Sequence, residues 1–151
     1  MLVLIDGHNL IPHLPGLSLA DPEDETRLLE ILSAYARSSR HTLEVFFDGA
    51  PVGQNGRRRM FGLEVHFVPR GRTADDAIAA RLAQLGKSAR QVAVVSADRR
   101  VQSEARSRLA AVWPSAGFAR QVVEAGQRTG KESPPADPDV DEWLRLFGGD
   151  P

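Results

Sequence analysis

Four aspartates occupy places where carboxylates can do chemistry: Asp6 in Leu4-Ile5-Asp6-Gly7, Asp48 in Phe46-Phe47-Asp48-Gly49, Asp75 in Thr73-Ala74-Asp75-Asp76, and Asp98 in Val95-Ser96-Ala97-Asp98. Asp6, Asp48 and Asp98 follow apolar runs that read as strands, and Asp75 opens a run of helical spacing. A single Asp at such a place often only caps the helix that follows. Four delivered to one edge would repel one another and raise each other's pKa unless a cation neutralised them. Hard carboxylate oxygens select Mg²⁺ or Mn²⁺. The expectation is an acidic pocket for one or two such ions, suited to phosphoryl chemistry. Two ions about 3.5–4 Å apart can activate a water and stabilise a leaving oxygen. Arg57-Arg58-Arg59, with Arg70 and Arg72, is expected to grip flanking phosphates, the alternative being a charged loop that is merely solvated.

The elements that must position these residues are legible from periodicity. Leu2–Ile5 is continuously apolar, as a strand buried on both faces would be. Residues 10–22, with Pro12, Pro15, Gly16 and Pro22, read as a loop. Leu28, Ile31, Leu32 and Tyr35 predict a helix over 23–37, and Leu43–Phe47 a second strand. Residues 49–62, rich in glycine and arginine, read as a long basic loop. Glu64–Val68 is a third strand. Thr73 is the expected cap of the next helix, with Asp76 at its third position and Ile78, Leu82 and Leu85 inward. Val92–Val95 is a fourth strand, followed by a helix with Val101, Ala105 and Leu109 inward. Ala111–Trp113 is a short fifth strand, and Ser115 the expected cap of a helix carrying Phe118 and Val122. Strands alternating with helices predict an α/β fold with a parallel sheet. In open parallel sheets, ligands bind in the crevice beyond the carboxyl ends of the strands.

Composition fits one such domain with a tail. The chain has 151 residues, is 42% hydrophobic and 26% charged, and holds no cysteine. That excludes a disulfide scaffold, a thiolate zinc site and a thiol nucleophile, and it fits a reducing, cytoplasmic setting. No apolar stretch nears the roughly 20 residues that span a bilayer, so no membrane partner is expected. Residues 132–151 hold six acidic residues against one basic, and residues 1–131 carry 18 basic against 14 acidic. Of the 19 basic residues only Lys87 and Lys131 are lysine, a bias that suits bidentate phosphate contacts and that genomic composition could also produce. Thr129 to Asp139 reads as a linker. Val140–Phe147, with Trp143, Leu144 and Phe147, reads as a short acidic helix that docks.

Other chemistries fail on spacing. Gly86-Lys87-Ser88 imitates the end of a phosphate-binding loop, but Arg81 stands where that motif needs glycine. A phosphatase of the haloacid type would need Asp at position 8, which is His8. No G-x-S-x-G elbow occurs. His13, His41 and His66 are scattered without ligand-like spacing and are expected to be structural or solvent-facing.

Asp6-Gly7-His8-Asn9-Leu10-Ile11 after the first strand resembles the D-G-[YHN]-N start of the NYN domain, whose members are PIN-like ribonucleases. Phe47-Asp48-Gly49, Thr73-Ala74-Asp75 and Val95-Ser96-Ala97-Asp98, in that order, resemble its YacP-like branch. The resemblance implies a three-layer PIN-like α/β fold over residues 1–128, with a parallel sheet between helices. Residues 129–151 would be the linker and acidic helix. It also implies endonucleolytic cleavage of RNA dependent on Mg²⁺ or Mn²⁺. Asp6, Asp75 and Asp98 would hold the metal, Asp48 would assist at the rim, and Asn9 would orient Asp6 or a phosphate. Asp76 reads as capping support. His8, where the family often has Tyr, is expected to pack or hydrogen-bond locally. Two alternatives stand beside this: an RNA-binding PIN-like module without cleavage, and a flap-type DNA nuclease, for whose clamping helices the chain has little room. Pairing into a homodimer would lengthen the stretch of RNA covered.

Overall fold

The computed structural model describes residues 1–51 and 53–132. Six strands form one sheet in the order β3-β4-β2-β1-β5-β6. They are β1 (Leu2–Asp6), β2 (Thr42–Ala50), β3 (Gly56–Met60), β4 (Leu63–Pro69), β5 (Val92–Val95) and β6 (Ala111–Trp113). The helices are α1 (Gly7–Leu10), α2 (Asp24–Ser39), α3 (Ala74–Leu85), α4 (Arg99–Ser107) and α5 (Ser115–Glu132). All strand pairs are parallel except β3 with β4. This is the three-layer α/β architecture expected from the sequence.

β1 lies at the centre of the sheet between β2 and β5, with helices over both faces, and its side chains from Leu2 to Ile5 are apolar. On one face Val3, Ile5, Val45, Phe47, Ala93 and Val95 meet Leu28, Leu32 and Tyr35 of α2 and Phe118 of α5. On the other, Leu4, Phe46, Val92 and Val94 meet Ile78 and Leu82 of α3 and Val101 and Ala105 of α4. Parallel register sets Ile5 beside Val95 and Asp6 beside Phe46, so the first aspartate emerges just past the end of β5. Among the described residues no helix is long and apolar enough to cross a membrane.

The stretch read as a basic loop is corrected: Gly56–Met60 is an edge strand, antiparallel to β4. The turn joining them, Phe61-Gly62, has φ of 53° and 79°, the two positive values that a tight two-residue hairpin needs. Arg57 and Arg59 stand opposite His66 and Glu64, and charged side chains on an outer strand discourage pairing with other chains. Three consecutive arginines carry no apolar alternation, which is why the strand is silent in the sequence.

Leu109 is also corrected. α4 stops at Ser107, and Leu109 is 62% exposed with φ of 63°. Its N–H bonds the Arg106 carbonyl and that of Ala110 bonds Ala105, the paired closure usually built on glycine. α5 starts at Ser115 itself and runs to Glu132, four residues into the expected linker. The rest of that linker and the segment with Trp143, Leu144 and Phe147 lie outside the described residues.

Candidate active site

Asp6, Asp48, Asp75 and Asp98 do gather at the carboxyl edge of the sheet. Asp6 ends β1 and is 7% exposed. Burial pushes its pKa up to about 6, Asp75 and Asp48 add to the rise, and the Asn9 backbone N–H and the His8 charge oppose it. Asp75 is raised too, first by burial and then by the charge of Asp98, with Arg100 opposing. Asp98 thus presses on Asp75, and Asp75 on Asp6. Each aspartate arrives on a different element, so only the parallel topology makes them neighbours.

The position of Asp48 depends on a break in β2. Pairing with β4 slips between Phe47 and Ala50, and Gly49 takes φ of 78°. Such a bulge turns a side chain that regular alternation would aim elsewhere. Asp48 Oδ1 then meets His8 Nδ1 at 2.9 Å, and Oδ2 accepts from the Ala74 N–H at 3.5 Å. The other nitrogen of His8 bonds Glu25 Oε2. The Glu25 bond raises the pKa of His8, burial opposes it, and Asp48 adds to the rise. With an acidic acceptor at each ring nitrogen, the imidazolium form donates at both ends. His8 is therefore a local tie, as expected. Glu25 is a site neighbour that sequence reasoning missed, because an acidic residue in the first turn of a helix is commonplace and gave no signal.

Asn9 does something different from what was expected. Its side-chain oxygen accepts from the Ala97 N–H at 2.8 Å and the Ser115 hydroxyl at 2.6 Å. It therefore ties together the loops that follow β1, β5 and β6, while its backbone N–H serves Asp6. Ser115, wholly buried, spends its hydroxyl on this tie rather than on a helix cap. Asp98 caps α4: its Oδ1 accepts from the Arg100 and Val101 N–H groups. Ser96 Oγ in turn accepts from the Asp98 N–H at 3.0 Å.

Gly7 is required here for space. A Cβ on it would lie 2.4 Å from the ring of Phe47, which is 1% exposed. We expect Gly7→Ala to cost about 1–3 kcal/mol through overpacking, read as a lower chemical-denaturation midpoint.

Asp75 and Asp76 divide between site and scaffold. Thr73 Oγ1 accepts from the Asp76 N–H and the Asp76 carboxylate faces the Thr73 N–H, a complete capping box. Asp76→Ala should therefore lose about 0.5–2 kcal/mol of stability while retaining most activity. Asp75→Asn should do the reverse. Melting curves of the two variants check the first half, and their rates in the reaction proposed below check the second.

The arginines separate into two groups. Arg57 Nε lies 2.7 Å from Glu64, Arg59 pairs more loosely with the same carboxylate, and Arg58 bonds the Gln54 carbonyl and lies over Phe67. Arg70 and Arg72 are exposed in the turn between β4 and α3, next to Thr73 and Asp75. Among the described residues, no three His, Asp or Glu side chains stand together at metal-ligand spacing. The donor chemistry nevertheless fits a hard cation: the carboxylates are crowded, two have raised pKa values, and Asp98 has committed only one oxygen.

Comparison with known proteins finds a matching family and solved structures of similar fold. The family model described as the YacP-like NYN domain matches residues 3–142. A crystal structure of a tryptophan-to-leucine variant of Rae1 (YacP) from Bacillus subtilis is similar, with a TM-score of 0.70 and 23% identity over 97% of this chain and 91% of that one. A further crystal structure of Rae1 (YacP) gives a TM-score of 0.71 and 22% identity over 87% of this chain and 78% of that one. At that identity the likeness concerns the fold. No curated protein sequence matches.

Proposed function

The chain belongs to the YacP-like NYN domain family, and from that premise we propose that it is a metal-dependent endoribonuclease. The observation that carries the proposal is the buried Asp6, held at a pKa of about 6 among Asp75, Asp48 and, through Asp75, Asp98. Such crowding is a cost to a protein that binds no cation.

Asp6, Asp75 and the free oxygen of Asp98 would hold Mg²⁺ or Mn²⁺. When bound, the ion supplies an activated water and offsets negative charge at the phosphodiester. Asp48, tied to His8 and to the Ala74 N–H, supports the rim. Asn9 fixes the loop that carries Asp98. Arg70 and Arg72 hold the phosphates next to the scissile bond, with Arg57, Arg58 and Arg59 farther out. The products would carry 5′-phosphate and 3′-hydroxyl ends.

The test combines cleavage with metal binding. Labelled RNA should be cut internally in Mg²⁺ or Mn²⁺ and remain intact in EDTA. Millimolar Mn²⁺ should raise the melting temperature, since an ion bound only by the folded state stabilises it by mass action. RNA binding without cleavage, and a melting temperature unmoved by Mn²⁺, would favour a non-catalytic RNA-binding module instead. Cleavage of flapped DNA in preference to RNA would favour the flap-nuclease alternative.

A further inference from the structure

The two helical layers differ in charge. Residues 74–113, which supply α3 and α4, carry seven basic side chains against four acidic ones, and two of those four are Asp75 and Asp76 in the first turn of α3. Residues 20–39 and 115–132, which supply α2 and α5 on the opposite face, carry seven acidic against five basic. On the basic layer Arg100 sits nearest the aspartates, 3.5 Å from Asp76 and within electrostatic reach of Asp75. Arg99 and Arg106 are seven residues apart, two helical turns, and so lie on one outward stripe of α4. At the far end of α3 and α4 is a recess of about 240 Å³ lined by Gly86, Lys87, Arg90, Ser107, Arg108 and Leu109.

Arg99, Arg106, Lys87 and Arg90 are exposed, and no ion pair among the described residues engages them. Arg57 and Arg59 differ in that respect, since Glu64 already pairs with both. Four unpartnered cations on one layer repel each other, and a polyanion lying along the layer relieves that repulsion. Leu109 adds an exposed apolar surface at the rim of the recess, suited to the face of a base.

We infer that single-stranded RNA leaves the aspartates beside Arg100 and runs along α4, past Arg99 and Arg106, to the recess at Lys87 and Arg90. This rests on the RNA reading of the site and extends it by assigning the path of the bound strand. The twelve residues of α3, from Asp75's turn to Gly86, span about 18 Å. A stacked strand advances about 3.4 Å per nucleotide, so the path accommodates about five nucleotides beyond the site.

Binding of a fluorescent fifteen-nucleotide RNA in EDTA, at several salt concentrations, tests the path without cleavage. The pair Arg99→Ala/Arg106→Ala should flatten the log–log salt slope by about 1.4, at 0.7 per phosphate contact, and weaken binding at low salt by about tenfold or more. Lys87→Ala/Arg90→Ala should do likewise for the fifteen-mer and little for a four-mer. The charge-matched pair Arg37→Ala/Arg120→Ala, exposed on α2 and α5, should leave slope and affinity nearly unchanged. All six side chains are exposed, so all three pairs should fold, and melting curves verify it.

Equal effects from all pairs would overturn the path, as would wild-type binding by the α4 pair. Loss of binding confined to anionic lipid vesicles would also overturn it. Wild-type cleavage of RNA in Mn²⁺, run in parallel, separates the two ideas. Cleavage with no effect of the α4 pair sinks the path alone. RNA binding lost in the α4 pair, with no cleavage by the wild type, sinks the nuclease and keeps the path. No RNA binding by the wild type sinks both.

Discussion

Asp6→Asn should abolish RNA cleavage and, without divalent ions at neutral pH, raise the melting temperature. Asp6 is 7% exposed, and its pKa is moved by burial and neighbouring carboxylates from 3.8 to about 6. An acid with a folded pKa above its unfolded one binds its proton more tightly when folded. Its ionisation therefore costs nothing below pH about 4, and the cost grows as pH rises and is complete above about 6. At 1.36 kcal/mol per unit, the full cost is at most about 3 kcal/mol. Asparagine is neutral, still accepts from the Asn9 N–H and removes that cost. The stability difference between variant and wild type should vanish near pH 4 and plateau above pH 7, and saturating Mn²⁺ should narrow it by stabilising only the wild type. Denaturation midpoints across pH, with and without Mn²⁺, provide the measurement. Wild-type cleavage rates in Asp6→Asn would overturn the site, and a pH-independent stability difference would overturn the electrostatic account.

Arg81→Ala should cost about 3–5 kcal/mol, the largest stability loss expected from any single charged residue here. Arg81 makes two hydrogen bonds, of 2.9 and 2.8 Å, to the carboxylate of Glu44, which is 4% exposed on β2. His66, stacked on Phe46 at 4.3 Å, adds a third bond of 2.9 Å to the same carboxylate. Burial by itself raises the pKa of Glu44, and the bonds and charges of His66 and Arg81 overcome it, holding the carboxyl at about 2. Without Arg81 the ion loses its chief partner and keeps its burial. A group with a lowered folded pKa lends stability above its unfolded value of about 4.5, and loses it as pH falls toward 2. The deficit of Arg81→Ala should therefore shrink in acid. The double variant Glu44→Leu/Arg81→Leu should recover most of the loss, because an apolar pair leaves no buried charge unpaired. Urea denaturation at pH 7 and pH 4 on wild type, single and double variants checks this. A single variant as stable as wild type would mean that water reaches Glu44.

What the sequence determined by itself was the frame. Leu2–Ile5 and Val92–Val95 are apolar without interruption because parallel strands under two helical layers meet no water. Thr73 and Asp76 announce their capping box because it needs only local backbone geometry. The same locality made the four aspartates recognisable, as each follows or opens a legible element. Long-range partners were illegible. Glu25 reaches His8 across 17 positions, Arg81 reaches Glu44 across 37, and Asn9 reaches Ser115 across 106. No periodicity encodes such pairs, because they form only when helices and strands distant in sequence pack together. The arginine strand was hidden for a related reason, since a two-residue turn and a cross-strand Arg57–Glu64 pair specify it rather than its own composition. The sequence supplied the charges, and tertiary structure decided which of them are neutralised. Arg81 is held by the buried Glu44 carboxylate, while Arg99 and Arg106 face solvent, because burial makes pairing obligatory and exposure leaves it optional.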